Sequence, residues 1–203
     1  MPQSIANKII KRIRGHGRGW VFSTKDFFDI GDRYAVNIAL HRLHKKGTIR
    51  QVLRGVYYYP IYSELFNAPA SPDPYEVAQT IARAFGWTIS PSGETALNLL
   101  RLSHQVSAKH QYFSDGPSKR YSWEGTELEF LHRAVKEVSK ISPRTALMVQ
   151  ALKALGKEHI DEKAIVSLRS QLSEKEVKTA LTETRVATNW IYSTVKKIAA
   201  GKK

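Results

Sequence analysis

Apolar positions change period twice within the first sixty residues. Ile5, Ile9 and Ile13 recur at i, i+4 and i+8 behind Ser4, which predicts a capped amphipathic helix that stops at the run Gly15-His16-Gly17-Arg18-Gly19. Trp20, Val21 and Phe22 predict a short extended piece. Ser23 or Thr24 then opens a second helix that buries Phe27 and Phe28, and Gly31 makes a turn. Asp32 suits the N-cap of a third helix running to about Lys46 and ended by Gly47. Its apolar stripe is Val36, Leu40 and Leu43, with Ala39 beside them. Residues 48–53 and 56–59 are β-prone runs around Arg54-Gly55 and read as a hairpin. Tyr57, Tyr58 and Tyr59 alternate faces there, so at least one of them belongs in the core.

Further along, Pro69, Pro72 and Pro74 fall too close together for a helix interior or a central strand. Asp73 and Pro74 suit the start of a helix to about Phe85, with Val77, Ile81, Ala84 and Phe85 inward. A short strand is predicted at 87–89, and Ser92 caps a helix carrying Ala96, Leu97 and Leu100. Strands at 111–114 and 119–123 flank the turn Asp115-Gly116-Pro117, and 128–135 reads as another strand or a short helix, with strand preferred. From Pro143 the pattern is helical: 145–155, 161–172, a helix opened by the capping box Ser173…Glu176, and 185–200 with Val186, Trp190, Val195 and Ile198 apolar.

Helix, helix, turn, helix, hairpin is the order of a winged helix-turn-helix. The predicted fold class is therefore α+β. A winged helix-turn-helix DNA-binding domain occupies residues 1–66, a Pro-rich linker 67–74, and a mixed α/β domain ending in a helical bundle 75–203.

Charge sharpens this. The 203 residues hold 32 Lys and Arg against 18 Asp and Glu, a net +14. Residues 1–60 carry 12 of the cations and only 3 Asp. Such an imbalance attracts polyanions, duplex DNA first among them. The polar face of the third helix displays Arg33, Tyr34, Asn37, His41 and Lys45. In a major groove Asn37 suits adenine and Arg33 guanine, while Arg50 and Arg54 on the hairpin suit phosphates. Lys119 and Arg120, beside the 115–117 turn, add backbone contacts. Each has a plainer reading: a solvated helix face, a charged hairpin edge that discourages strand pairing, an exposed loop. Lys196, Lys197, Lys202 and Lys203 form a basic tail read as solvated.

Chemistry of other kinds finds little footing. There is no cysteine, so thiolate metal sites and cysteine nucleophiles are excluded. The histidines (His16, His41, His44, His104, His110, His132 and His159) make no zinc-type pair, and no phosphate-binding glycine loop or G-x-S-x-G elbow occurs. Glu127 and Glu129 alternate as on one strand face but lack a third acidic ligand. Ser92 reads as a helix cap rather than a nucleophile. The expectation is a non-enzymatic protein with no cofactor and no metal. No apolar run approaches the ~20 residues needed to span a bilayer, and no secretory signal is visible, so the expected setting is the cytoplasm without membrane contact.

Gly19-Trp20-Val21-Phe22, Asp26-Phe27, Ala39-Leu40-His41-Arg42-Leu43, Lys46-Gly47-Thr48-Ile49-Arg50 and Arg54-Gly55-Val56-Tyr57 resemble the N-terminal winged helix of AbiEi-type antitoxins, regulators of type IV toxin–antitoxin and phage abortive-infection systems. More loosely, Pro91-Ser92-Gly93-Glu94-Thr95-Ala96-Leu97, the strand at 112–114 and the run 115–120 follow that family's order, so the resemblance covers about residues 4–135. It implies a repressor that binds inverted repeats in its own promoter, as two copies on DNA, and an antitoxin that opposes a nucleotidyltransferase-like toxin. Two other classes compete: an interaction module that neutralises a toxin by contact, and an enzyme acting on nucleic acid.

Overall fold

The computed structural model describes residues 4–65, 67–103, 109–134 and 141–201. His104, Val135, Lys202 and Lys203 lie outside the described residues. The fold is α+β and separates into two compact units, residues 1–87 with 121–126, and residues 88–120 with 127–203. Among the described residues no helix is long and apolar enough to cross a membrane.

In the first unit, α1 (Ile5–His16) starts where Ser4 Oγ accepts the Asn7 N–H, and it buries Ile9 and Ile13. The chain then forms β1 (Val21–Ser23), a 3₁₀ turn (Thr24–Phe27) and α2 (Arg33–Lys45), followed by β2 (Arg50–Leu53) and β3 (Val56–Tyr58). β3 is the middle strand, antiparallel to both β1 and β2. Phe22 pairs with Tyr57 across β1 and β3, so both point to one face of the sheet, where they join Ile9, Ile13, Phe27, Val36, Leu40 and Ile49 in a core. The second helix expected after Ser23 is only the four-residue 3₁₀ turn. That turn buries Phe27, while Phe28, expected inside, follows it and is exposed.

The other sheet face explains where the expected boundary fails. Val21, Ser23, Val56 and Tyr58 point away from the first core, yet all are buried. α3 (Pro74–Phe85) covers them: it packs on β1 and β3, and Thr80 Oγ1 donates to the Val21 carbonyl at 3.1 Å. Residues 75–87 thus belong with the first unit, not with the C-terminal domain assigned to them from sequence. The Pro-rich segment is not a free linker. β4 (Tyr62–Ser63) pairs with β5 (Ala68–Pro69), and the Ala70 N–H donates to the Ile61 carbonyl. α3 begins at Asp73 and Pro74 as expected, but Phe85 is exposed rather than inward, its ring stacked on Trp87 at 4.9 Å.

The second unit contains the body of a four-stranded sheet in the order β6 (Ile89–Pro91), β7 (Lys109–Ser114), β9 (Thr126–His132), β8 (Lys119–Trp123). β6 is antiparallel and β9 parallel to β7, so the sheet is mixed. β9 separates the two strands that flank the 115–117 turn. β8 turns into β9 through Glu124 and Gly125, both at positive φ (45° and 80°), as a two-residue hairpin turn demands. α4 (Gly93–Leu99) and α5 (Pro143–Leu155) pack so closely that a Cβ on Gly93 would lie 2.7 Å from that of Ala154. α6 (Glu162–Ser170), α7 (Glu174–Glu183) and α8 (Asn189–Ala200) complete a core with Leu100, Leu152, Leu168, Val177 and Val195. Ser173 and Glu176 form the expected capping box. The final helix starts later than 185: a 3₁₀ turn (Thr184–Val186) precedes it, and Val186 is 94 % exposed instead of apolar core.

Candidate nucleic-acid interface

α2 owes its orientation to a cap and a narrow stripe. Asp32 accepts the Ala35 N–H at 2.9 Å, fixing the first turn, and Val36, Ala39 and Leu40 are its buried residues. A helix anchored along one stripe leaves its opposite face open. Arg33, Asn37, His41 and Lys45 therefore project at successive i+4 positions, all exposed, with Tyr34 beside them at 77 % exposure. The sequence reading placed these five together, and the fold keeps them on one open surface of α2. Arg42 and Lys46 are exposed too and extend the cationic surface of the same helix. They were legible from the same periodicity, since neither occupies a core position.

The acidic residues of this region are already engaged. Asp29 takes a bidentate pair from Arg12, at 2.7 and 2.6 Å, which holds the carboxyl below its ordinary range. Asp26 feels burial, which pushes its pKa up. The Arg83 guanidinium at 3.1 Å and the Ser23 N–H at 2.8 Å outweigh that and leave it lowered. Asp32 is used as the helix cap. In contrast, Lys8, Lys11 and Arg14 of α1, Arg33, Arg42 and Lys45 of α2, Lys46 at its C-cap, and Arg54 at the hairpin tip are exposed and make no ion pair among the described residues. These eight cations of residues 1–60 thus stand without an acidic partner among the described residues.

The remaining expected contacts stand differently. Arg50 is held by Glu124 at 2.5 Å, and Glu124 also accepts from the Ser71 hydroxyl. A phosphate would have to displace that pair. Lys119 and Arg120 belong to the second unit, where Arg120 donates to Glu129 at 2.5 Å. Glu129 is buried and also accepts from Gln111 and Lys109. Those three donors pull its pKa down to about 2. Among the described residues no group of three or more His, Asp or Glu gathers as a metal site would need.

A family model described as a family of unknown function (DUF6088) matches residues 8–181. Among solved structures, the RV2827C protein from Mycobacterium tuberculosis is similar at 16 % identity and a TM-score of 0.44, with 97 % of this chain and 76 % of that one covered. No curated protein matches.

Proposed function

The chain belongs to that family of unknown function, and we propose, from the geometry of its first unit, that it is a sequence-specific duplex-DNA-binding regulator built on a winged helix-turn-helix, with no catalytic step of its own. α2 is the recognition helix, and the β2–β3 hairpin is the wing. The observation that carries this reading is the charge arrangement around α2. Every aspartate of residues 1–60 is committed to an arginine or a helix cap, while Lys8, Lys11 and Arg14 of α1, the cations along α2 and Arg54 at the hairpin tip face solvent. A merely solvated face would interleave acids with its bases. Here the exposed face of α2 offers a guanidinium and a carboxamide able to read base edges, an aromatic ring, and ammonium and guanidinium groups able to neutralise phosphates.

The resemblance of residues 19–22, 39–43, 46–50 and 54–57 to AbiEi-type antitoxins extends the proposal. The protein represses its own operon through inverted repeats, two copies per operator, and opposes a nucleotidyltransferase-like toxin encoded beside it. The test is fluorescence anisotropy with a duplex from upstream of its own gene against a shuffled duplex of equal length, across a salt series. Tighter binding to the native duplex and a steep loss of affinity with salt are expected. Equal affinity for both duplexes would remove the sequence-specific reading. No binding to either, with co-purification of the neighbouring gene's product after nuclease treatment, would replace it with neutralisation by direct contact.

A further inference from the structure

The second unit holds a cavity of about 650 Å³ that the DNA reading does not use. Its floor is the antiparallel pair Ser90 and Phe113 of β6 and β7, which point to the same sheet face. One wall is α5, which turns Ala146, Val149, Gln150 and Lys153 to it at i, i+3, i+4 and i+7. The 3₁₀ turn 184–186 and Ala187 form the opposite rim, and Arg133, just after β9, closes an end. The size falls in the range of sites for drug-sized ligands, and the walls combine apolar surface with a few polar groups, the usual composition of such sites.

Three features give the cavity a chemical preference. Ser90 is 6 % exposed, and its hydroxyl has no hydrogen-bond partner among the described residues, a cost that a ligand acceptor or donor would relieve. Arg133 lies over the Phe113 ring at 4.9 Å and spends one donor on the His132 carbonyl, leaving other guanidinium N–H groups for an anion. Lys153 makes no ion pair among the described residues. The one carboxylate on the wall, Glu183, already accepts from the Ser142 N–H and hydroxyl at 3.0 and 2.8 Å.

We propose that this cavity binds a small organic anion: an apolar, ring-sized body against Phe113, Ile141 and Val149, with a carboxylate or phosphate head held by Arg133 and Lys153 and a polar atom meeting Ser90. The site lies wholly within the second unit and is independent of the DNA reading.

The probe is 8-anilinonaphthalene-1-sulfonate, an aromatic anion whose emission rises in apolar surroundings, titrated into the full-length protein. Saturable one-to-one binding is expected, displaced by 4-phenylbutyrate if the head preference is carboxylate and by phenyl phosphate if it is phosphate. Arg133→Gln combined with Lys153→Gln should weaken binding tenfold or more. The neutral analogue N-phenyl-1-naphthylamine should be indifferent to those changes, and Lys163→Gln, an exposed cation on α6 outside the cavity, should change affinity less than twofold. Ala187→Phe, which fills the rim, should abolish binding with the thermal melt retained. If that variant fails to fold, the paired surface substitutions still decide. Unsaturable binding, affinity unchanged by the paired substitutions, or displacement by neither competitor overturns the proposal.

Discussion

α2 and α5 are each thirteen residues long, yet they are put to opposite uses. α5 buries Thr145, Ala146, Leu147, Met148, Val149, Ala151 and Leu152, most of its circumference, because sheet and helices surround it. α2 buries only Val36, Ala39 and Leu40, half-buries Ala35, Ile38, Leu43 and His44 beside them, and gives its other face to solvent. A helix enclosed on most sides is a scaffold whose side chains are constrained by volume. A helix held by one stripe has side chains free to meet something else, and on α2 they are cationic or hydrogen-bonding. The contrast separates positions where substitution alters folding from positions where it alters recognition.

The sharpest way to break that contrast is at Leu152, fully buried in α5. Leu152→Ala should cost about 2–5 kcal/mol in chemical denaturation, and a cost near zero would mean that α5 is not enclosed. At the exposed Asn37, Asn37→Ala should leave stability within about 0.5 kcal/mol while reducing discrimination between native and shuffled duplexes by about 1–3 kcal/mol. A stability loss with discrimination intact would reverse the assignment of that face. Asp32→Ala removes the cap that sets α2 in place and should lower the stability of the first unit by about 0.5–2 kcal/mol, read from the same denaturation curves.

A further effect lies on the pH axis. Glu129 titrates near 4.5 when unfolded and near 2 in the fold, so its contribution is fully present above 4.5 and is lost as the pH falls through 2. Glu129→Gln should flatten the dependence of the urea midpoint on pH between about 5 and 2. An unchanged slope would show that the Arg120, Lys109 and Gln111 contacts do not persist in solution.

Local features were readable from residues alone. The Ser4, Asp32 and Asp73 caps, the Ile9/Ile13 stripe and the Ser173–Glu176 box are satisfied within a few residues of chain, and each sits where the pattern puts it. What escaped depends on distant partners. The prolines at 69–74 look like a linker, and nothing local says that Val21, Val56 and Tyr58 need a cover which α3 supplies. Arg50 looks like a free wing cation until Glu124, 74 positions on, comes to meet it. β9 inserts beside β7 by parallel pairing, which leaves no short-range signature. Val186 falls in the 3₁₀ turn ahead of the last helix, and Phe85 is the final residue of α3, where the apolar stripe no longer faces a core; helical spacing alone marks neither limit. On the candidate interface the five α2 residues were legible because helical spacing is local, whereas the engagement of Asp26 and Asp29 by Arg83 and Arg12 was not.

The β8–β9 turn belongs to one compact unit although its strands run on into the other. The polypeptide consequently passes between the units three times, at 87/88, 120/121 and 126/127. A stop codon after residue 87 would yield an amino-terminal fragment lacking Glu124 and Trp123, with Arg50 and its neighbours bereft of their tether. Anyone wishing to study the amino-terminal half by itself must graft residues 121–126 back onto it, because a single cut divides the gene but not the architecture.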